Sequence, residues 1–141
     1  MSSVRALREK ERAARVAQAR AFAEAVAQAL GPLTAWVYGS VARGDFHFAS
    51  DIDVLVVAPD LPPNPLRRLE LLYRFATPGI EPKAYTSEEF RKLLAAGDPQ
   101  LLAMLSFRVV LRDDLGLEPA LARALAEPDE PGKNAGNPGQ D

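Results

Sequence analysis

The stretch that most constrains this chain runs from residue 36 to 57, Trp36-Val-Tyr-Gly-Ser-Val-Ala-Arg-Gly-Asp-Phe-His-Phe-Ala-Ser-Asp-Ile-Asp-Val-Leu-Val-Val57. Two apolar runs there flank a glycine turn and a pair of carboxylates. The second run, Ile52 to Ala58, is apolar nearly throughout, as a strand covered on both faces should be. Side chains alternate along a strand, so Asp51 and Asp53 project from one face. Two like charges about 6–7 Å apart repel by about 2–3 kcal/mol at an effective dielectric of 20. Such a pair calls for a cation. Magnesium suits it, because that ion takes one or two carboxylates and completes its shell with water and substrate phosphate oxygens.

Upstream, Leu33 to Tyr38 reads as a strand that ends sharply at Gly39-Ser40. Gly39 lets a phosphate approach the backbone, Ser40 adds a hydroxyl donor, and a short helix starting at Ser40 would direct its N–H groups outward. Arg43 adds a full positive charge. Strand, phosphate-holding turn, connecting loop and metal-holding strand together are what a nucleoside triphosphate carrying magnesium requires.

The combination of Gly39-Ser40, Arg43-Gly44-Asp45 and Ser50-Asp51-Ile52-Asp53-Val54-Leu55-Val56 resembles the signature of minimal nucleotidyltransferases in the DNA polymerase β-like superfamily. The resemblance implies an α/β (α+β) fold, a small mixed sheet of about four strands flanked by helices. It implies magnesium-dependent transfer of a nucleoside monophosphate, AMP from ATP foremost, to a hydroxyl acceptor. Asp51 and Asp53 would be catalytic and hold the metal. Gly39, Ser40, Arg43 and Ser50 would meet the nucleotide, with Ser50 also placed to cap the loop or position the Asp51 backbone.

Active members of that family carry a third acid on the following strand, which can take the proton of the attacking hydroxyl. Two residues compete for the place here. Lys83 stands where a simple alignment puts the acid, and Glu81 lies two residues earlier on the same face, with Pro82 or a bulge able to bring it in. Glu81 would complete the catalytic set. Lys83 paired with the aspartates would instead leave a degenerate site, and the chain would be a binding module that neutralises a partner without nucleotidyl transfer. Small members of the family pair with HEPN-type toxins, so a HEPN-type partner protein is the implied acceptor. A stand-alone transferase acting on a small-molecule hydroxyl, and a homo-oligomer, stay open.

At 141 residues the chain suits one domain. A net charge of −2 gives no general pull toward nucleic acid or an anionic membrane. Without cysteine there can be no disulfide, thiolate metal site or cysteine nucleophile. The sole histidine, His47, lies in the aromatic loop Phe46-His47-Phe48, and nothing around Ser40 forms a nucleophile elbow. No signal-peptide core and no membrane-spanning run is seen, so a cytoplasmic location is expected.

Residues 3–30 read as one helix ended by Gly31-Pro32, with Val16, Ala19, Phe22, Ala23, Val26 and Leu30 facing the sheet. Its first half is charged, and residues 1–15 are expected to form an exposed extension with pairs such as Glu11 with Arg15, or to meet a partner. Residues 16–126 would be the nucleotidyltransferase domain. After the Pro59 stop, a helix at 66–76 should bury Leu66, Leu69, Leu72 and Tyr73. Residues 80–85 form a third strand that Pro82 sends to an edge or bends into a bulge. Thr86 and Glu89 spell a capping box, and Asp98-Pro99 starts another helix. A fourth strand at 107–111, a helix at 117–126 and a disordered tail at 127–141 complete the reading.

Overall fold

Residues 2–30 contain neither proline nor glycine, and they form one helix in the computed structural model, which describes residues 2–127. This is α1 (Ser2–Leu30). It stops at Gly31, whose φ of 93° few other residues tolerate and whose N–H donates to the Ala27 carbonyl at 2.8 Å. The chain then builds β1 (Thr34–Tyr38), α2 (Gly39–Arg43), β2 (Ile52–Ala58), α3 (Pro65–Tyr73) and β3 (Ile80–Thr86). It continues with α4 (Ser87–Ala95), α5 (Pro99–Met104), β4 (Val109–Asp113) and α6 (Glu118–Ala126).

The strands form one mixed sheet in the order β3-β2-β1-β4. β1 runs antiparallel to both β2 and β4, whereas β2 and β3 are parallel, with α3 as the crossover. Both faces of the sheet are covered. On one, Ala35, Val37, Val54 and Val56 pack with Ala19, Phe22, Ala23 and Val26 of α1 and with Leu72 of α3. On the other, Trp36, Leu55 and Val57 pack with Phe90, Leu101, Leu105, Leu117 and Leu121 from and around α4, α5 and α6. A βαβ unit with helices on both faces explains why β2 is apolar at nearly every position. The buried Trp36 ring stacks on Phe90 with centroids 5.4 Å apart, and its indole N–H donates to Glu118 at 2.8 Å. Glu118 in turn pairs with Arg108 at 2.6 Å, which ties α6 to the chain entering β4.

β3 is an edge strand, and Pro82 sits in it without interrupting the register against β2. A residue with no N–H is tolerated there because one side of an edge strand has no ladder to feed. Two elements differ from expectation. On α3 only Leu72 is buried, while Leu66 is 69% and Tyr73 50% exposed. That helix lies against the edge strand, so a single row of its side chains reaches the core. The fourth strand is β4, two residues later than the apolar run suggested, because Arg112 and Asp113 pair with Ala35 and Thr34 across a bulge in the ladder. Asp113 is useful there: it accepts from the Thr34 hydroxyl and from the N–H groups of Leu117 and Glu118, capping α6.

Among the described residues no helix is long and apolar enough to cross a membrane. The tail read as disordered lies, beyond Glu127, outside the described residues.

Candidate active site

The ladder decides which acids meet. Parallel pairing sets Asp53 opposite Glu81, and antiparallel pairing sets Tyr38 opposite Asp53. Paired residues share a face, and the two-residue period adds Asp51. Asp51, Asp53, Glu81 and Tyr38 therefore gather at the sheet end, on the face that carries Trp36 and Leu55. Glu81 shares a hydrogen bond with Asp51, which with slight burial and the charges of both aspartates holds it above the usual carboxylate range. Burial, then the Asp51 charge, raises Asp53, and Arg43 opposes this. Burial foremost, then Asp53, Glu81 and Tyr85, pushes the Tyr38 hydroxyl up to about 12. Acids displaced this way are short of positive charge.

Lys83 does not supply it. It stands two residues along β3, opposite Leu55, with its ammonium 6.0 Å from the Tyr85 ring centroid. Among the described residues it forms no ion pair with either aspartate. Of the two competitors, Glu81 is the one the strand register brings to the aspartates, and it does so without a bulge.

Gly39 closes the other side. Its φ is 73°, and a Cβ built on it would lie 2.3 Å from the Asp53 Oδ2, so the turn backbone packs directly on the carboxylate. α2 follows as a five-residue helix pinned by the buried Val41. Ser40 is the second residue of this turn, half-buried. Arg43, at its end, pairs with Asp45 at 3.2 Å while its charge is felt at Asp53.

The connecting loop is held by its own residues at two points. Phe46 is buried, and the Ser50 hydroxyl accepts from the His47 N–H at 2.9 Å while the Ser50 N–H donates to the His47 carbonyl at 2.8 Å. Ser50 thus closes a turn immediately before Asp51. Phe48 projects at 89% exposure.

The first half of α1, expected as an exposed extension, also makes contacts with α2 and the loop. Residues 3–11 are exposed, but Arg8, Arg12 and Arg15 reach across to backbone carbonyls of α2 and the loop. Arg15 serves Ser50 and Phe48 in place of an ion pair with Glu11, because carbonyls with no ladder partner compete well for a guanidinium. These contacts span more than 25 residues of sequence, so only the four-then-three arginine spacing could have hinted at them. Tyr38 was missed for a similar reason, since it becomes a neighbour of Asp53 only through strand pairing.

Among the described residues no group of three or more histidine, cysteine, aspartate or glutamate side chains is placed to hold a metal ion. An open arrangement of paired aspartates fits magnesium, which needs few protein ligands and leaves positions for phosphate oxygens.

Residues 19–122 match the model of the nucleotidyltransferase domain family. The chain belongs to that family. The matched span runs from the second half of α1 into α6 and includes the glycine turn and all three acids. The chain is also similar in fold to the crystal structure of a candidate nucleotidyltransferase from Sulfolobus solfataricus, with a TM-score of 0.56 and 22% identity over 73% of this chain and 84% of that one. No curated protein matches the sequence. Nucleotidyl transfer is the chemistry of the family, and the nucleotide is its substrate.

Proposed function

We propose that this nucleotidyltransferase domain, taken as residues 16–126, transfers a nucleoside monophosphate, AMP from ATP first among candidates, to a hydroxyl acceptor. The observation that carries the reading is the strand register that sets Glu81 opposite Asp53, on the face that also carries Asp51, which supports a third acid beside the aspartates and the Gly39 turn. Asp51 and Asp53 would hold magnesium, which when bound offsets the charge of the triphosphate. Gly39 and Ser40 line the phosphates, and Arg43 adds positive charge next to Asp53. Ser50 keeps the loop closed in front of Asp51.

The acceptor hydroxyl attacks the α-phosphorus in line, the bond to the β-phosphate oxygen breaks, and pyrophosphate leaves. Glu81, which the register sets beside Asp53, takes the hydroxyl proton. Catalysis of this kind is mostly positioning and charge neutralisation. A protein acceptor of HEPN type remains the first to try, and a small-molecule alcohol is the second.

The test is incubation with ATP labelled on the α-phosphate, alone and with the product of a neighbouring gene. Label should pass to an acceptor in a magnesium-dependent manner. Asp51→Ala should reduce transfer on the order of a hundredfold or more while leaving the circular dichroism spectrum unchanged. Undiminished transfer by that variant would refute the assignment.

A further inference from the structure

The loop between α2 and β2 has no ladder of its own, yet the carbonyls of Gly44, Phe46, Phe48 and Ser50, and those of Val41 and Ala42 just before it, take arginine donors. Arg12 donates from Nε to Val41 at 2.9 Å and from Nη2 to Ala42 at 3.0 Å. Arg8 donates from Nη2 to the carbonyls of Gly44, at 3.1 Å, and Phe46. Arg15 donates to Ser50 at 3.1 Å and to Phe48 at 3.2 Å. Arg8 and Arg15 also lie over the buried Phe46 ring, 4.4 and 4.7 Å from its centroid.

The spacing of 8, 12 and 15 puts all three on one helical face. The carbonyls of Val41 and Ala42 lie in the last turn of α2, where a helix leaves its acceptors unpaired and its dipole favours a cation. The Ser50 carbonyl belongs to the peptide that leads into Asp51, so Arg15 fixes the main chain next to a carboxylate of the site. Each arginine bridges two carbonyls, which a planar fork can do and an ammonium, with its compact charge, does poorly. These residues also precede the span 19–122 that matches the family, so the clamp is added from outside that span.

We infer that Arg8, Arg12 and Arg15 are positioning residues that set the course of residues 41–50, and through it the relation of the glycine turn to Asp51, without touching nucleotide. The effect on nucleotide rests on the proposed transfer reading; the effect on the loop stands without it.

The test uses the full chain as wild type, as R8A/R12A/R15A and as R12K/R15K, the last keeping charge and helix but not the two-carbonyl reach. Hydrogen exchange should accelerate about tenfold or more for amides of residues 41–50 in both variants, with β1 and β2 amides unchanged. Affinity for ATP with magnesium should fall about tenfold in the lysine variant while its melting temperature stays near wild type. Loop exchange at the wild-type rate in the lysine variant would overturn the inference, and that variant decides the matter even if the alanine variant fails to fold. A wild-type chain that binds no magnesium–ATP would sink the transfer reading instead, and the exchange pattern would still judge the clamp.

Discussion

At the scale of single residues, the site depends on an atom that is missing. Gly39 has no Cβ, and one placed there would overlap the Asp53 carboxylate. Gly39→Ala combines that overlap with a positive φ, so it should cost about 1–2 kcal/mol of stability. The loss is readable by chemical denaturation followed through Trp36, the only tryptophan. It should also weaken magnesium-dependent nucleotide binding on the order of tenfold, since Asp53 must move aside. Wild-type binding in this variant would mean that the turn and the carboxylate do not act together. Gly39, Asp51 and Asp53 were legible in the sequence because a turn and a two-residue period are local patterns. The choice between Glu81 and Lys83 was not, because it depends on how two strands 28 residues apart come into register.

At the scale of elements, caps were easy to read and packing faces were not. Thr86 and Glu89 form the capping box at the start of α4 that their spacing announced. Arg68, from α3, adds a two-pronged pair to the same Glu89 at 2.8 and 3.0 Å, which no local pattern shows. The guanidinium first, then the Thr86 N–H, pulls the Glu89 carboxyl down to about 2. A depressed carboxylate contributes stability that is present above its unfolded value near 4.5 and is lost as pH falls through its folded value. The chain should therefore lose stability between about pH 4.5 and 2 partly through Glu89. Glu89→Gln keeps the cap but not the ion pair, so it should flatten that part of the stability curve. Glu89 is nearly half exposed, which limits the cost at pH 7 to about 0.5–1 kcal/mol. An unaltered acid limb in thermal melts of the variant would contradict this. The error on α3 has the opposite origin: Leu66, Leu69 and Tyr73 follow a helical stripe, but an edge strand offers too little surface to bury one.

At the scale of the whole molecule, a three-layer core holds the sheet rigid and leaves its carboxylate end open. The order of strands and helices could be read from periodicity and breakers, while the sheet order could not, because β4 returns to pair with β1 after four intervening helices and two strands. Raised carboxyls such as Asp53 and Glu81 contribute stability that is full below their unfolded values and is lost as pH rises through the folded ones. Near neutrality the cluster is therefore a strain on the fold, which a bound cation would relieve. Calorimetric titration of ATP into the chain at pH 7, with magnesium and with chelator, for wild type and Asp53→Asn, reads this directly. The expected result is saturable binding only for wild type with magnesium. Equal binding without the metal, or an Asp53→Asn variant that binds as wild type does, would contradict the claim that these acids hold a metal-complexed triphosphate.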